Sequence, residues 1–108
     1  MEEKAVVKAL AALAQPNRLQ VFRHLVVAGK QGAMPGQLGE SLGVPSATLS
    51  FHLKELMGAG LISQERRGRN LIYRVELDRM NGLLAYLTEN CCRGAEDCLD
   101  VSATICQC

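Results

Sequence analysis

The spacing of apolar residues first changes along this sequence of 108 residues at Gly60. Before that glycine, apolar side chains recur every three or four residues, as they do on one face of an α-helix. After it come two short, partly β-branched segments, 61–65 and 71–75, which bracket the sequence Arg66-Arg67-Gly68-Arg69-Asn70. Two such segments around a glycine-containing turn predict a two-stranded β-hairpin with a basic tip.

Apolar stripes at helical spacing predict four helices before the hairpin and one after it. Glycine or proline separates the first four stripes, which indicates where those helices stop and start. The five stripes, in chain order, are Val6, Leu10 and Leu13; Leu19, Phe22, Leu25 and Val26; Met34, Leu38 and Leu42; Leu49, Leu53 and Leu56; and Met80, Leu84 and Leu87.

The last two helices have candidate N-caps. Ser46 can cap a helix over about 47–59, because its hydroxyl can accept a free amide hydrogen. Asp78 can cap the final helix in the same way. The final stripe follows the pattern i, i+4 and i+7, so the next position on the same face is i+11, which is Cys91.

The order helix, helix, short helix, tight turn, helix, basic hairpin, helix predicts a mainly α-helical winged helix-turn-helix, which places its fourth helix in the DNA major groove. The alternative is that each exposed residue is only solvated, that Phe51 packs against the third helix, and that His52 is a partly buried hydrogen-bonding residue. The predicted contacts with double-stranded DNA are Ser46, Ala47, Thr48, Ser50, Phe51, His52, Lys54, Arg66, Arg67 and Arg69.

The net charge of +1 neither requires nor excludes a nucleic-acid partner, so the distribution of charge matters more. Four arginines lie within the nine residues 66–74, which suits contact with phosphate. No apolar run approaches the roughly 20 residues of a membrane span, and the start Met1-Glu2-Glu3 lacks the basic stretch of an export signal. We therefore expect a cytoplasmic protein with no membrane partner.

The sequence resembles the ArsR/SmtB family of metal- and metalloid-responsive repressors over roughly residues 5 to 90. The resemblance implies a homodimer, formed through the first and last helices, that binds a near-palindromic operator and releases it on binding an inducer. The residues that carry it are Thr48-Leu49-Ser50-Phe51-His52-Leu53-Lys54-Glu55-Leu56, Ala59-Gly60-Leu61-Ile62, Arg67-Gly68-Arg69 and Tyr73.

Two familiar sensor sites of that family are missing from this sequence. The helix before the recognition helix, 34–42, has no cysteine for the best-known arsenic site. The final helix, 78–90, has no histidine for the common zinc site. The cysteines after residue 90 remain, as in the arsenic-responsive branch that this tail resembles.

All five cysteines lie after residue 90, which predicts a DNA-binding and dimerisation domain over 1–90 and a metalloid-binding tail over 91–108. Thiols of an unexported protein stay reduced, and thiolates select soft ions. Three thiolates with an open fourth side suit As(III) or Sb(III), whose lone pair occupies the opening. The predicted ligands are Cys91, Cys92 and Cys98, with an accessory role for Cys106 and Cys108.

Other functions for the tail stay open. A fourth thiolate would suit zinc or cadmium, the Cys-x-Cys pair at 106–108 would suit Cu(I), and disulfide exchange would make a redox switch. A metallochaperone or thiol oxidoreductase would use the cysteines but leave the fourth helix and the basic hairpin unexplained. We find no glycine-rich phosphate loop and no nucleophile beside a base, so we expect neither an enzyme nor an organic cofactor.

Overall fold

The computed structural model describes residues 1–89. The order of helices and strands given below confirms the predicted winged helix-turn-helix. A 3-10 turn, Gly29–Gln31, follows the second helix. Within 1–89, no helix has the length and apolar character needed to cross a membrane. The elements are α1 (Glu3–Leu13), α2 (Pro16–Ala28), α3 (Pro35–Leu42), α4 (Ser46–Gly58), β1 (Ile62–Arg67), β2 (Asn70–Val75) and α5 (Leu77–Leu87).

One hydrophobic core joins all five helices to the base of the hairpin. Helices α2 and α3 both pack against α4, so the buried face of α4 lies at the centre of this core. The most deeply buried large side chains of the whole core are Leu25, Leu38, Leu49, Leu53, Leu56, Leu61 and Val21.

The buried face of α1 differs from the predicted stripe. Ala9 and Ala12 are buried with Val6, whereas Leu10 is 40% exposed. Alanine lets neighbouring helices approach closely, so the small residues face the core and the larger leucine is left outside. The predicted stripe of α2 is wrong at Leu19, because Val21 takes the buried position and Leu19 is exposed.

Helix α5 has one apolar residue in the core and another that is exposed. Its buried residue is Leu83, whereas Leu87, which belongs to the predicted stripe, is 54% exposed. Helix α5 packs beside α1, where Val7 is 58% exposed and Leu10 is nearby on the same helix. We call the exposed apolar set Val7, Leu10 and Leu87 the α1–α5 face.

Both predicted N-caps are wrong by one or two residues. Helix α4 begins at Ser46 itself and has Pro45 as its N-cap, while α5 has Glu76 as its N-cap. Pro45, at φ −59° and ψ 148°, has the extended conformation of the cap, and Ser46 is the first helical residue. Asp78 lies in the first turn of α5, where a negative charge is favoured by the helix dipole.

The hairpin is tighter than predicted. Arg67 pairs with Asn70, so Arg66 and Arg67 lie on β1 and only two residues form the turn. Gly68 stands first in that turn with φ 62°, a conformation that glycine adopts without steric cost.

Helix α5 ends before the cysteines. The hydroxyl of Thr88 donates to the carbonyl oxygen of Leu84 at 2.8 Å, and the last helical residue is Leu87. The predicted unbroken helical stripe from Leu87 to Cys91 is therefore wrong. Cys91, Cys92, Cys98, Cys106 and Cys108 lie outside the described residues, so the tail at 91–108 and its boundary stay predictions.

Candidate nucleic-acid interface

Helix α4 is two-sided, with a buried leucine face and an exposed polar face. Leu49, Leu53 and Leu56 lie in the core and fix the rotation of the helix. Backbone amides at its N-terminus and the helix dipole favour phosphate. Six of the predicted DNA-contacting residues are exposed on the remaining surface: Ser46, Ala47, Thr48, Ser50, Phe51 and Lys54.

Phe51 is 54% exposed, so it is not a core residue. The guanidinium carbon of Arg18 lies 5.8 Å from the centre of the Phe51 ring, a distance typical of a cation–π contact. The interpretation that Phe51 packs into the domain is therefore wrong, and its ring stands among the exposed polar side chains of α4.

His52 requires a correction, because it is only 4% exposed and cannot present a donor to DNA from that position. It lies three residues after Leu49, on the buried side of α4. Its Nδ1 accepts a hydrogen bond from Arg18 Nε at 3.5 Å, while its buried Nε2 has no hydrogen-bond partner within residues 1–89. Burial and then the charge of Arg18 lower the pKa of His52.

The hairpin carries two kinds of arginine. Arg66, Arg67 and Arg69 are exposed, and Arg67 Nε lies 3.4 Å from Glu65 Oε1. Arg74 is held more firmly, since its Nη1 donates to Glu65 Oε1 and its Nε to the carbonyl of Lys30, both at 2.7 Å. The hydrogen bond from Arg74, then the charge of Arg67, lower the pKa of Glu65.

Arg74 therefore braces the hairpin, although the sequence placed it in one cluster with the other arginines. Arg66 and Arg69 form no ion pair within residues 1–89. Exposed cations without a protein partner are the groups best placed to exchange bound counterions for phosphate.

Arg18 is the residue that the sequence interpretation missed. It lies in the first turn of α2, where its backbone N–H donates to Gln15 Oε1 at 2.7 Å. Its contacts with Phe51 and His52 join residues more than thirty positions apart in the chain. Its sequence neighbourhood, next to Pro16 and Asn17, contains no signal for such a contact.

A salt titration tests the hairpin arginines. We expect Arg66→Ala and Arg69→Ala each to reduce the slope of log affinity against log salt concentration by about 0.9 for mixed-sequence duplex DNA, since each phosphate contact releases counterions. Lys8→Ala, which removes an exposed charge from α1, is the matched control. Unchanged slopes in both arginine variants would place the hairpin away from DNA.

The comparisons with known proteins agree with this geometry. Residues 13–65 match the family described as "Helix-turn-helix domain". The arsenical resistance operon repressor of Bacillus subtilis is 36% identical over 91 residues, which cover 81% of this chain and 83% of that protein. The regulator NmtR of Mycobacterium tuberculosis is 33% identical over 69 residues, which cover 63% of this chain and about half, 54%, of that protein.

A solved structure has the same architecture. It is the homodimeric winged helix-turn-helix DNA-binding domain of a "possible ArsR-family transcriptional regulator" from Mycobacterium bovis. The two proteins are 26% identical, with a TM-score of 0.64, over 78% of this chain and 76% of that one.

Proposed function

Because the chain belongs to the ArsR/SmtB family of winged helix-turn-helix transcriptional repressors, we propose that it binds operator DNA as a homodimer and releases it on binding trivalent arsenic or antimony. The proposed ligands are Cys91, Cys92 and Cys98, and Cys106 and Cys108 have an accessory role.

The observation that carries the DNA-binding part is the two-sided α4. Its leucines hold the helix in the core, while Ser50, Phe51 and Lys54 remain exposed on the other side. Such a helix can enter the major groove without disturbing the packing behind it. The basic hairpin follows directly in the chain and offers Arg66 and Arg69 to the phosphate backbone.

The α1–α5 face supports the proposed dimer. Val7, Leu10 and Leu87 are exposed large apolar residues on two neighbouring helices. A second copy that covered this face would bury them against one another, which is favourable at about 25 cal/mol per Å² of apolar surface. The Mycobacterium bovis domain is described as homodimeric, which is consistent with the same assembly here.

Arsenic is proposed as inducer from two observations. The Bacillus subtilis relative is an arsenical resistance operon repressor. Within residues 1–89, no group of three histidine, cysteine or acidic side chains lies close enough to hold a metal ion. The five cysteines after residue 90 are the chain's thiol ligands, and a three-thiolate set leaves room for a lone pair.

The order of residues suggests how binding is coupled to release. Cys91 comes four residues after Leu87, a member of the α1–α5 face. The two reading helices of a dimer must stay about 34 Å apart to reach successive turns of DNA. A change in subunit orientation weakens both half-sites together, and a coupling of about 1–3 kcal/mol lowers DNA affinity about 5- to 150-fold.

The full-length protein is first used to enrich a duplex from a random-sequence pool, and we call this the selected duplex. Fluorescence anisotropy with the selected duplex then tests the proposal. We expect arsenite to lower the affinity at least about fivefold under reducing conditions. Cys91→Ser, Cys92→Ser and Cys98→Ser should each abolish the effect, whereas Cys106→Ser and Cys108→Ser, the matched controls, should largely keep it.

Each part of the proposal has its own contrary result. Normal arsenite release by all three serine variants at 91, 92 and 98 would overturn the ligand assignment. Release by zinc, cadmium, Cu(I) or an oxidant, but not by arsenite or antimonite, would overturn the inducer. Failure to enrich any duplex would overturn sequence-specific DNA binding. X-ray absorption spectroscopy should find three sulfur neighbours around bound arsenic.

A further inference from the structure

The side chain of Arg18 joins the end of α1 to both the buried and the exposed side of α4. Its Nη1 donates to the carbonyl oxygen of Ala12 at 3.3 Å, and its Nε donates to His52 Nδ1 at 3.5 Å. Its guanidinium also covers the ring of Phe51. The planar fork of arginine can make these contacts at once, because its donors point in several fixed directions.

The two contacts on α4 restrict the rotation of that helix. Phe51 and His52 are consecutive, so their side chains project about 100° apart around the helix axis. One is buried and the other is exposed, which places the guanidinium at the border between the core and the polar face. A group that contacts both positions resists rotation of α4 in either direction.

The hydrogen bond to His52 also defines the state of its ring. Nδ1 can accept from Arg18 only if the imidazole is neutral and carries its proton on Nε2. Burial and the charge of Arg18 lower the pKa of His52, which favours that neutral form. The centres of the Phe51 and His52 rings lie 6.0 Å apart at an interplanar angle of 61°, so the two rings also support each other.

We infer that Arg18 is a positioning residue for sequence recognition, which refines the rotation of α4 that the buried leucines set and fixes the orientation of Phe51 relative to the end of α1. The inference rests on the proposed DNA-binding function. Arg18 does not replace any reading residue on α4. It holds the exposed side chains, Ser50 and Lys54 among them, at the angle from which they meet base edges.

A positioning role and a phosphate contact give different results on DNA. Arg18→Lys keeps the positive charge but loses the planar fork, whereas Arg18→Ala loses both. We expect both variants to lower the ratio of affinities for the selected duplex and for mixed-sequence DNA by about tenfold, with an unchanged salt slope. Arg23→Ala, which removes an exposed charge from the same helix, should leave that ratio unchanged.

Nuclear magnetic resonance of the His52 ring supplies a readout independent of DNA. In Arg18→Ala the pKa of His52 should rise, because a positive neighbour is lost, and the proton should no longer be confined to Nε2. The unfolding midpoint in urea, measured in parallel, shows whether each variant is folded under the conditions of the DNA assay.

Three results would overturn the inference. The first is a wild-type affinity ratio in Arg18→Lys, and the second is a fall of about one in the salt slope of Arg18→Ala, which would indicate a phosphate contact. The third is a His52 ring unaffected in Arg18→Ala. Failure of the wild-type protein to enrich any duplex would instead contradict the proposed function, and the His52 titration would still test the contact itself.

Discussion

Replacing Leu10 by glutamate is expected to convert the proposed homodimer into a monomer and to lower affinity for the selected duplex by about 100-fold or more. Leu10 lies on the α1–α5 face, where a second copy would cover it. An unpaired carboxylate buried in an apolar contact costs several kcal/mol of association free energy, and we expect this cost to separate the two copies. A monomer then binds a single half-site. Sedimentation velocity and fluorescence anisotropy measure the two effects.

Val27 provides a matched control for this experiment. It is 87% exposed on α2, outside the α1–α5 face, so Val27→Glu should leave both the oligomeric state and DNA affinity unchanged. Leu87→Glu introduces the same charge from α5 and should reproduce the effect of Leu10→Glu. If both glutamates on the α1–α5 face remained dimeric with normal affinity, the dimer would have to form elsewhere.

Gly32→Ala is expected to destabilise the domain by about 2–4 kcal/mol. Gly32 has φ 70°, a region that disfavours any residue with a Cβ atom. An added Cβ would also lie 2.6 Å from the carbonyl oxygen of Tyr73, so backbone must move. The adjoining Ala33 exchanges two hydrogen bonds with Tyr73, at 2.8 and 3.0 Å, and these would be strained together. Urea denaturation measures the loss.

Gly36 is the corresponding control. It lies in α3, and a Cβ added there would meet nothing within 4 Å. Gly36→Ala should therefore be neutral or stabilise the protein by about 0.5–1 kcal/mol, because alanine loses less conformational entropy in a helix. Equal stability of Gly32→Ala and the wild-type protein would show that the backbone at Gly32 adapts without cost.

The order of elements was predictable from sequence because periodicity and turn residues are local signals. The change of spacing at Gly60 and the glycine in 66–70 located the hairpin, although its turn proved two residues long. The leucines of α4 were predicted correctly, and this separated the exposed polar face of the helix from the core. These signals need no knowledge of what the chain packs against.

Errors arose where packing decides between two apolar faces. Helix α1 turns Ala9 and Ala12 inward and leaves Leu10 outside, which a count of large apolar residues cannot anticipate. His52 was placed among the DNA contacts, yet its position three residues after Leu49 puts it in the core, where it accepts a hydrogen bond as the alternative interpretation predicted. Arg18 was missed because its partners on α4 come near it only through folding.

The brace formed by Arg74 has a consequence for the proposed contact between the hairpin and DNA. It ties β2 to Glu65 on the neighbouring strand and to the backbone of Lys30, while Ala33 pairs with Tyr73 on the same strand. The hairpin that carries Arg66 and Arg69 is thus preorganised. Much of its backbone entropy is lost when the chain folds, so less entropy remains to be lost when the hairpin binds a duplex.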